Sequence, residues 1–199
     1  SCFGYNYSQQ LYTASEVAGA IGANNFITKI KFFVAATATT QANYNQWVIY
    51  MGNTTKTNFA SNTDWVPASG LQQVYTGTIP NMTNGQWVEI TLTSPFVWNG
   101  TSNIVVAVDE NASGYSCTQT WGSYAAGTNK GILYYSDGTN PDPASPPSAS
   151  SRYSDIPRLQ LVAGLLQPCT TAPPSNIAVG QLTPTTATVS WLTSAGATY

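Results

Sequence analysis

The chain has 199 residues, of which 7% are charged, with a formal net charge of -2 and no histidine. An average globular protein is roughly 25% charged; here Ser, Thr, Asn, Gln and Gly take the place of charges, which suits a secreted or surface-displayed β-protein. No basic run is present, which excludes nucleic acid as a partner, and no apolar run approaches the roughly 18 residues of a membrane span.

Residues 5–13, YNYSQQLYT, alternate weakly and predict a strand. Thr13-Ala14-Ser15-Glu16 has the spacing of a capping box, with Thr13 as N-cap and Glu16 reaching back to it. A short helical turn over Ala14 to Ala18 follows, ended by Gly19 and Gly22. In residues 26–36, Phe26, Thr28, Ile30, Phe32 and Val34 share one face, and Lys29 and Lys31 lie on the other. After a polar loop, 37–45, Trp47 to Met51 read as a buried strand closed by Gly52-Asn53. Residues 53–70 are a long connection rich in Thr, Ser and Asn, whose side chains satisfy its own backbone. Trp65 pins that connection to the core. Residues 71–79 read as another strand.

Residues 86–109 are the centre of the pattern. Val88, Ile90 and Leu92 alternate with Trp87, Glu89 and Thr91, the period of a half-buried strand. Ile104 to Val108 is apolar at every position, as in a strand covered on both faces. Ser94-Pro95 and Asn99-Gly100 supply turn chemistry between them. Together they predict a central strand pair around which the rest packs. Residues 110–130 are polar and loop-like, 131–136 form a short strand, and the prolines of 137–150 exclude regular structure. Residues 156–163 alternate again, with Leu159 and Leu161 inward. About eight strands without βα alternation predict an all-β fold, an antiparallel two-sheet sandwich of jelly-roll type, over residues 1–165.

Residues 166–174 read as a linker. Beyond it, the Pro173-Pro174 lead-in, the strand Asn176 to Val179, the turn at Thr183 to Thr186 and the strand Ala187 to Trp191 resemble the first two strands of a fibronectin type III module. The resemblance makes Trp191 that module's core tryptophan and 175–199 an incomplete copy, so the natural chain is expected to continue past Tyr199. The segments QQLYTASEV, TTKTNFASNTDWVP, PFVWNGTSNIVVAVDEN and LYYSDGTNPDP resemble modules of large secreted or surface proteins of Bacteroidetes-type bacteria. That resemblance implies a secreted or cell-surface location, export by the type IX route and a modular context; it implies no catalytic residues.

Chemistry is sparse. Asp109-Glu110 is the only adjacent carboxylate pair, and neighbours on a strand point to opposite faces, away from one shared bond. With no histidine to activate a serine, the expectation is that the chain is not an enzyme. The same lack, with no CxxC pair, excludes a usual zinc site. Asp109, Asp137 and Asp142 lie in loops or at strand ends, and with Asn111, Asn140 and backbone carbonyls they suit a structural calcium ion; ordinary turn sequence reads the same. No other cofactor is expected. Trp121, Tyr115 and Tyr124 fall in a polar stretch, where rings stack on sugars, anchor a protein partner or simply pack. Trp47 is expected in the core. The three cysteines allow one disulfide within the chain. If the first and last strands of the jelly-roll pair, Cys2 and Cys169 fall just outside their ends, and a Cys2–Cys169 bridge fastens the domain; no partner is assigned to Cys117.

The expected role is a non-catalytic structural or adhesive module of an extracellular bacterial protein. The alternatives are a carbohydrate-binding module and an accessory domain of a secreted hydrolase. Expected partners are other domains of the same longer chain, neighbouring copies in an extracellular filament or layer, and glycans.

Overall fold

The structure, a computed structural model, describes residues 3–22, 24–37, 44–115, 117–164, 175–180, 185–186 and 188–192. The chain divides into two units, Ser1–Gly164 and Leu165–Tyr199. In chain order the first unit holds β1 (Tyr5–Tyr12), α1 (Ala14–Ile21), β2 (Phe26–Ala36), β3 (Trp47–Thr54), β4 (Gln72–Gly77), β5 (Trp87–Val97) and β6 (Asn103–Glu110). It continues with β7 (Thr120–Trp121), β8 (Ser123–Ala125), β9 (Gly131–Ser136), β10 (Ser151–Tyr153), β11 (Asp155–Pro157) and β12 (Leu159–Ala163).

These strands form an all-β, sandwich-like arrangement of antiparallel sheets. One sheet has six strands in the order β10-β9-β1-β6-β3-β4; a second joins β12, β2 and β5, with β7 also on β2; β8 and β11 pair apart. Alternation along each strand divides its side chains between two faces. Ile49, Met51, Ile104 and Val106 of the large sheet share one core with Ile30, Phe32 and Ile90 of the smaller. On the outer face of the large sheet, Leu11, Val105 and Ile132 pack with Phe59. Ile104 and Val105 are therefore both fully buried, and β6 is covered on both faces as its apolar run predicts.

The long connection 53–70 supplies part of that outer cover. Trp65 packs on Tyr7 at 5.1 Å between ring centroids, and its Nε1–H donates to the Pro147 carbonyl at 2.9 Å. The capping box is formed: Thr13 N–H donates to Glu16 Oε2 at 2.7 Å, and Glu16 N–H donates to Thr13 Oγ1 at 3.3 Å.

Four expectations are corrected. The helix runs through Gly19 to Ile21, because Val17 and Ile21 bury one face of its second turn, and it ends at Gly22, where φ is 61°. β5 continues through Ser94-Pro95 to Val97, and β5 and β6 do not pair; the chain between them crosses from one sheet to the other. The run 156–163 is split at Arg158 between β11 and β12, and β10 precedes it where no strand is predicted. The first and last strands of this unit are not neighbours: β1 lies between β6 and β9, and β12 pairs with β2.

In the second unit β13 (Ser175–Gly180) and β14 (Thr188–Leu192) pair antiparallel, with Val179 opposite Val189. The linker 166–174 and the Trp191 side chain lie outside what the structure describes.

Candidate functional site

A core-facing strand should be apolar, yet the inward positions of β1 before Tyr12 are Asn6, Ser8 and Gln10. They open onto a cavity of about 210 Å³ between the two sheets. β6 adds Val108 and Glu110, β3 adds Trp47, β9 adds Leu133 and β10 adds Tyr153. Across from them stand Phe32, Gln119, Trp121 and Pro157. The volume is far above the ~10–15 Å³ that one water needs.

Three rings form one wall. Trp121 meets Trp47 edge-on at 5.8 Å and 62°, and lies 5.7 Å from Phe32. Trp47 is buried, as expected, whereas Trp121 retains part of its surface. The polar groups are mostly held in place by one another. Gln10 Nε2–H donates to the Tyr153 hydroxyl at 2.8 Å. Burial pushes the Tyr153 phenol up to about 12, against the lowering effect of that bond. Glu110 is fully buried; its Oε1 accepts from Ala112 N–H at 2.8 Å, and its Oε2 accepts from Asn6 Nδ2 at 3.4 Å.

Gln119 is the exception. It is 6% exposed, its Nε2 is 3.5 Å from Met82 Sδ, and its Oε1 has no hydrogen-bond partner. A buried amide oxygen left unpaired costs about 1–3 kcal/mol.

Of the three expected ligand-binding rings, only Trp121 lines this cleft. Tyr115 is 55% exposed on the loop after β6. Tyr124 of β8 lines a separate cavity with Tyr12 and Arg158, and its hydroxyl donates to Glu16 Oε1 at 2.6 Å. Gln119, Trp47, Tyr153 and the polar face of β1 were not legible as a site, because they come from distant segments. The usable signal was the polar face of Asn6, Ser8 and Gln10 in a strand that also carries the core residues Tyr7, Leu11 and Tyr12.

Part of the set expected to hold calcium is brought together: Asp142 lies near enough to Asp109 for their charges to interact, and Asn140 Nδ2 donates to Asn111 Oδ1 at 2.7 Å. Asp137 Oδ1 accepts from Gly4 N–H at 3.0 Å, and Asp142 Oδ1 accepts from Ala144 N–H at 2.9 Å. Asp109 Oδ2 accepts from Asn111 Nδ2 at 2.8 Å on the face of β6 opposite Glu110, and its Oδ1 is buried without a partner. Burial pushes the Asp109 carboxyl up to about 6; the Asn111 bond lowers it, and the nearby Asp142 charge raises it further. Among the described residues no three His, Cys, Asp or Glu side chains gather around one point. Cys2 and Cys169 lie outside the described residues, and Cys117 is disulfide-bonded. Of three cysteines, Cys117 therefore takes one of the pair expected to bridge each other. Compared with protein-family models, curated proteins and solved structures, the chain matches none.

Proposed function

We propose that the chain is a non-catalytic adhesive module of an extracellular or cell-surface bacterial protein, and that the cleft between its sheets binds a neutral sugar residue. The Trp47–Trp121 pair, with the polar side chains Asn6, Ser8 and Gln10 lining the same cleft, carries this reading. Indole rings offer apolar surface to sugar C–H groups, and buried amides and hydroxyls select their O–H groups. Asn6, Ser8, Gln10 and Gln119 supply such groups. Among the described residues Glu110 is the single carboxylate lining the cleft, so the two-carboxylate arrangement of glycoside hydrolysis has no second member among them.

The shared core of the two antiparallel sheets supports a sandwich, within which we propose a jelly-roll arrangement. The β13–β14 pair favours the opening strands of a fibronectin type III module. Among the described residues its sheet has two strands and Val189 is 48% exposed, which supports other domains of a longer chain and neighbouring copies as its partners.

A glycan array followed by calorimetry tests the cleft. The chain is expected to bind a neutral polysaccharide, and Trp121→Ala and Gln119→Ala are each expected to weaken binding by roughly tenfold or more, with the circular dichroism spectrum unchanged. Absence of binding across neutral glycans, or binding indifferent to both substitutions, rejects the reading.

A further inference from the structure

We infer that the partner of Cys117 is Cys2, and that this bond ties the loop between Glu110 and Trp121 to the segment before β1. The inference does not depend on what the cleft binds. Asn6 of β1 stands opposite both Glu110 and Tyr135, so the residues before β1 run out between the segments that follow β6 and β9. Gly4 confirms the path. Its N–H donates to Asp137 Oδ1 at 3.0 Å, and a Cβ placed on it would lie 3.7 Å from Gly114 N. Cys2 is two residues from Gly4, and Cys117 is three from Gly114. Those stretches reach at most ~7 Å and ~10 Å. A disulfide needs Cα atoms roughly 4.4–6.8 Å apart, and two short tethers starting side by side meet that without strain.

The other route is stretched to its limit. Gly164 is held at the start of β2, where its N–H donates to the Phe26 carbonyl at 2.8 Å. Cys117 lies just before Thr120, which is paired with Ala36 at the far end of the same strand. Phe26 to Ala36 spans roughly 30 Å. Five residues from Gly164 to Cys169 reach at most ~17 Å, and three from Thr120 to Cys117 ~10 Å. A Cys117–Cys169 bond would need both stretches pulled straight toward each other along β2.

The bond has a structural role. The loop carrying Cys117 leaves from Glu110 and returns through Gln119 to Trp121, all lining the cleft. Tying it to the segment before Asn6 joins the two polypeptide stretches that bring the unpaired amide and the polar face of β1 together.

Peptide mapping of the unreduced, alkylated 199-residue chain by mass spectrometry tests the assignment. The expected result is one linked pair containing Cys2 and Cys117, with Cys169 alkylated. A Cys117–Cys169 link, or alkylated Cys2, overturns it. Cys169→Ser is an independent check: the linked pair should persist and no thiol should react, whereas two reactive thiols would overturn the assignment.

Discussion

Asp109 and Glu110 are sequence neighbours, both buried, yet they face different surroundings because successive side chains on β6 point to opposite sides. Glu110 is held by Ala112 N–H and Asn6 in the cleft, while Asp109 leaves one oxygen without a donor. The Asp109 carboxyl is raised from 3.8 to about 6, chiefly by burial. The folded state therefore binds this proton more tightly than the unfolded chain does. Its contribution to stability is present below pH ~4 and is lost as the pH rises toward about 6, after which the ionised group is a standing cost on the order of 2–3 kcal/mol. Asp109→Asn should raise the melting temperature at pH 7.5, and the gain should shrink toward nothing at pH 4. An equal gain at both values would mean that the carboxyl is not raised. Glu89 behaves oppositely: Lys29 and Lys31 at 2.6 and 2.7 Å hold it down to about 2, so its contribution is lost only as the pH falls through 4.5 toward 2.

Among the elements, β9 shows how a glycine sets the shape of the cleft. A Cβ on Gly131 would overlap the ring of Tyr153, whose hydroxyl is fixed by Gln10. Gly131→Ala must push that ring aside and break the bond, and should cost about 1–3 kcal/mol in urea unfolding. Sugar affinity should fall with it; an unchanged denaturation midpoint would show that the ring moves freely. β9 itself was legible as a strand, as were β1, β2, β3, β4 and β6, because their period-two or continuous apolar patterns are local. The capping box of α1 was legible for the same reason. Strand partnership was not. Ser94-Pro95 looked like a turn between paired strands, but the backbone stays extended to Val97 and then changes sheets. β7, β8 and β10 have two or three residues each, too few to carry a period, and they are strands because their partners exist. The cleft inherits that limit: Trp121 stood out as a ring in a polar stretch, whereas Gln119 becomes notable only once Met82 and Trp47 surround it.

For the molecule as a whole, the position of β1 governs the order in which structure can form. Asn6 pairs with Glu110 on one side and Tyr135 on the other, so the first strand made is among the last to find its place. During synthesis it must wait for more than half the first unit before either edge is satisfied. Contacts of such separation slow folding, because the closing of the loop precedes its reward, and β-rich domains of this kind fold in milliseconds to seconds. A covalent link at Cys117 to the segment before β1 would shorten that search by holding the strand beside its future neighbour. Tryptophan fluorescence in stopped-flow refolding should then be faster for the oxidised chain than for the reduced one. Equal rates would place the docking of β1 after the rate-limiting step. Until that docking occurs, the β6 and β9 edges stand open to any extended segment, including the first strand of another copy, which makes exchange of β1 between chains the characteristic misassembly of this topology.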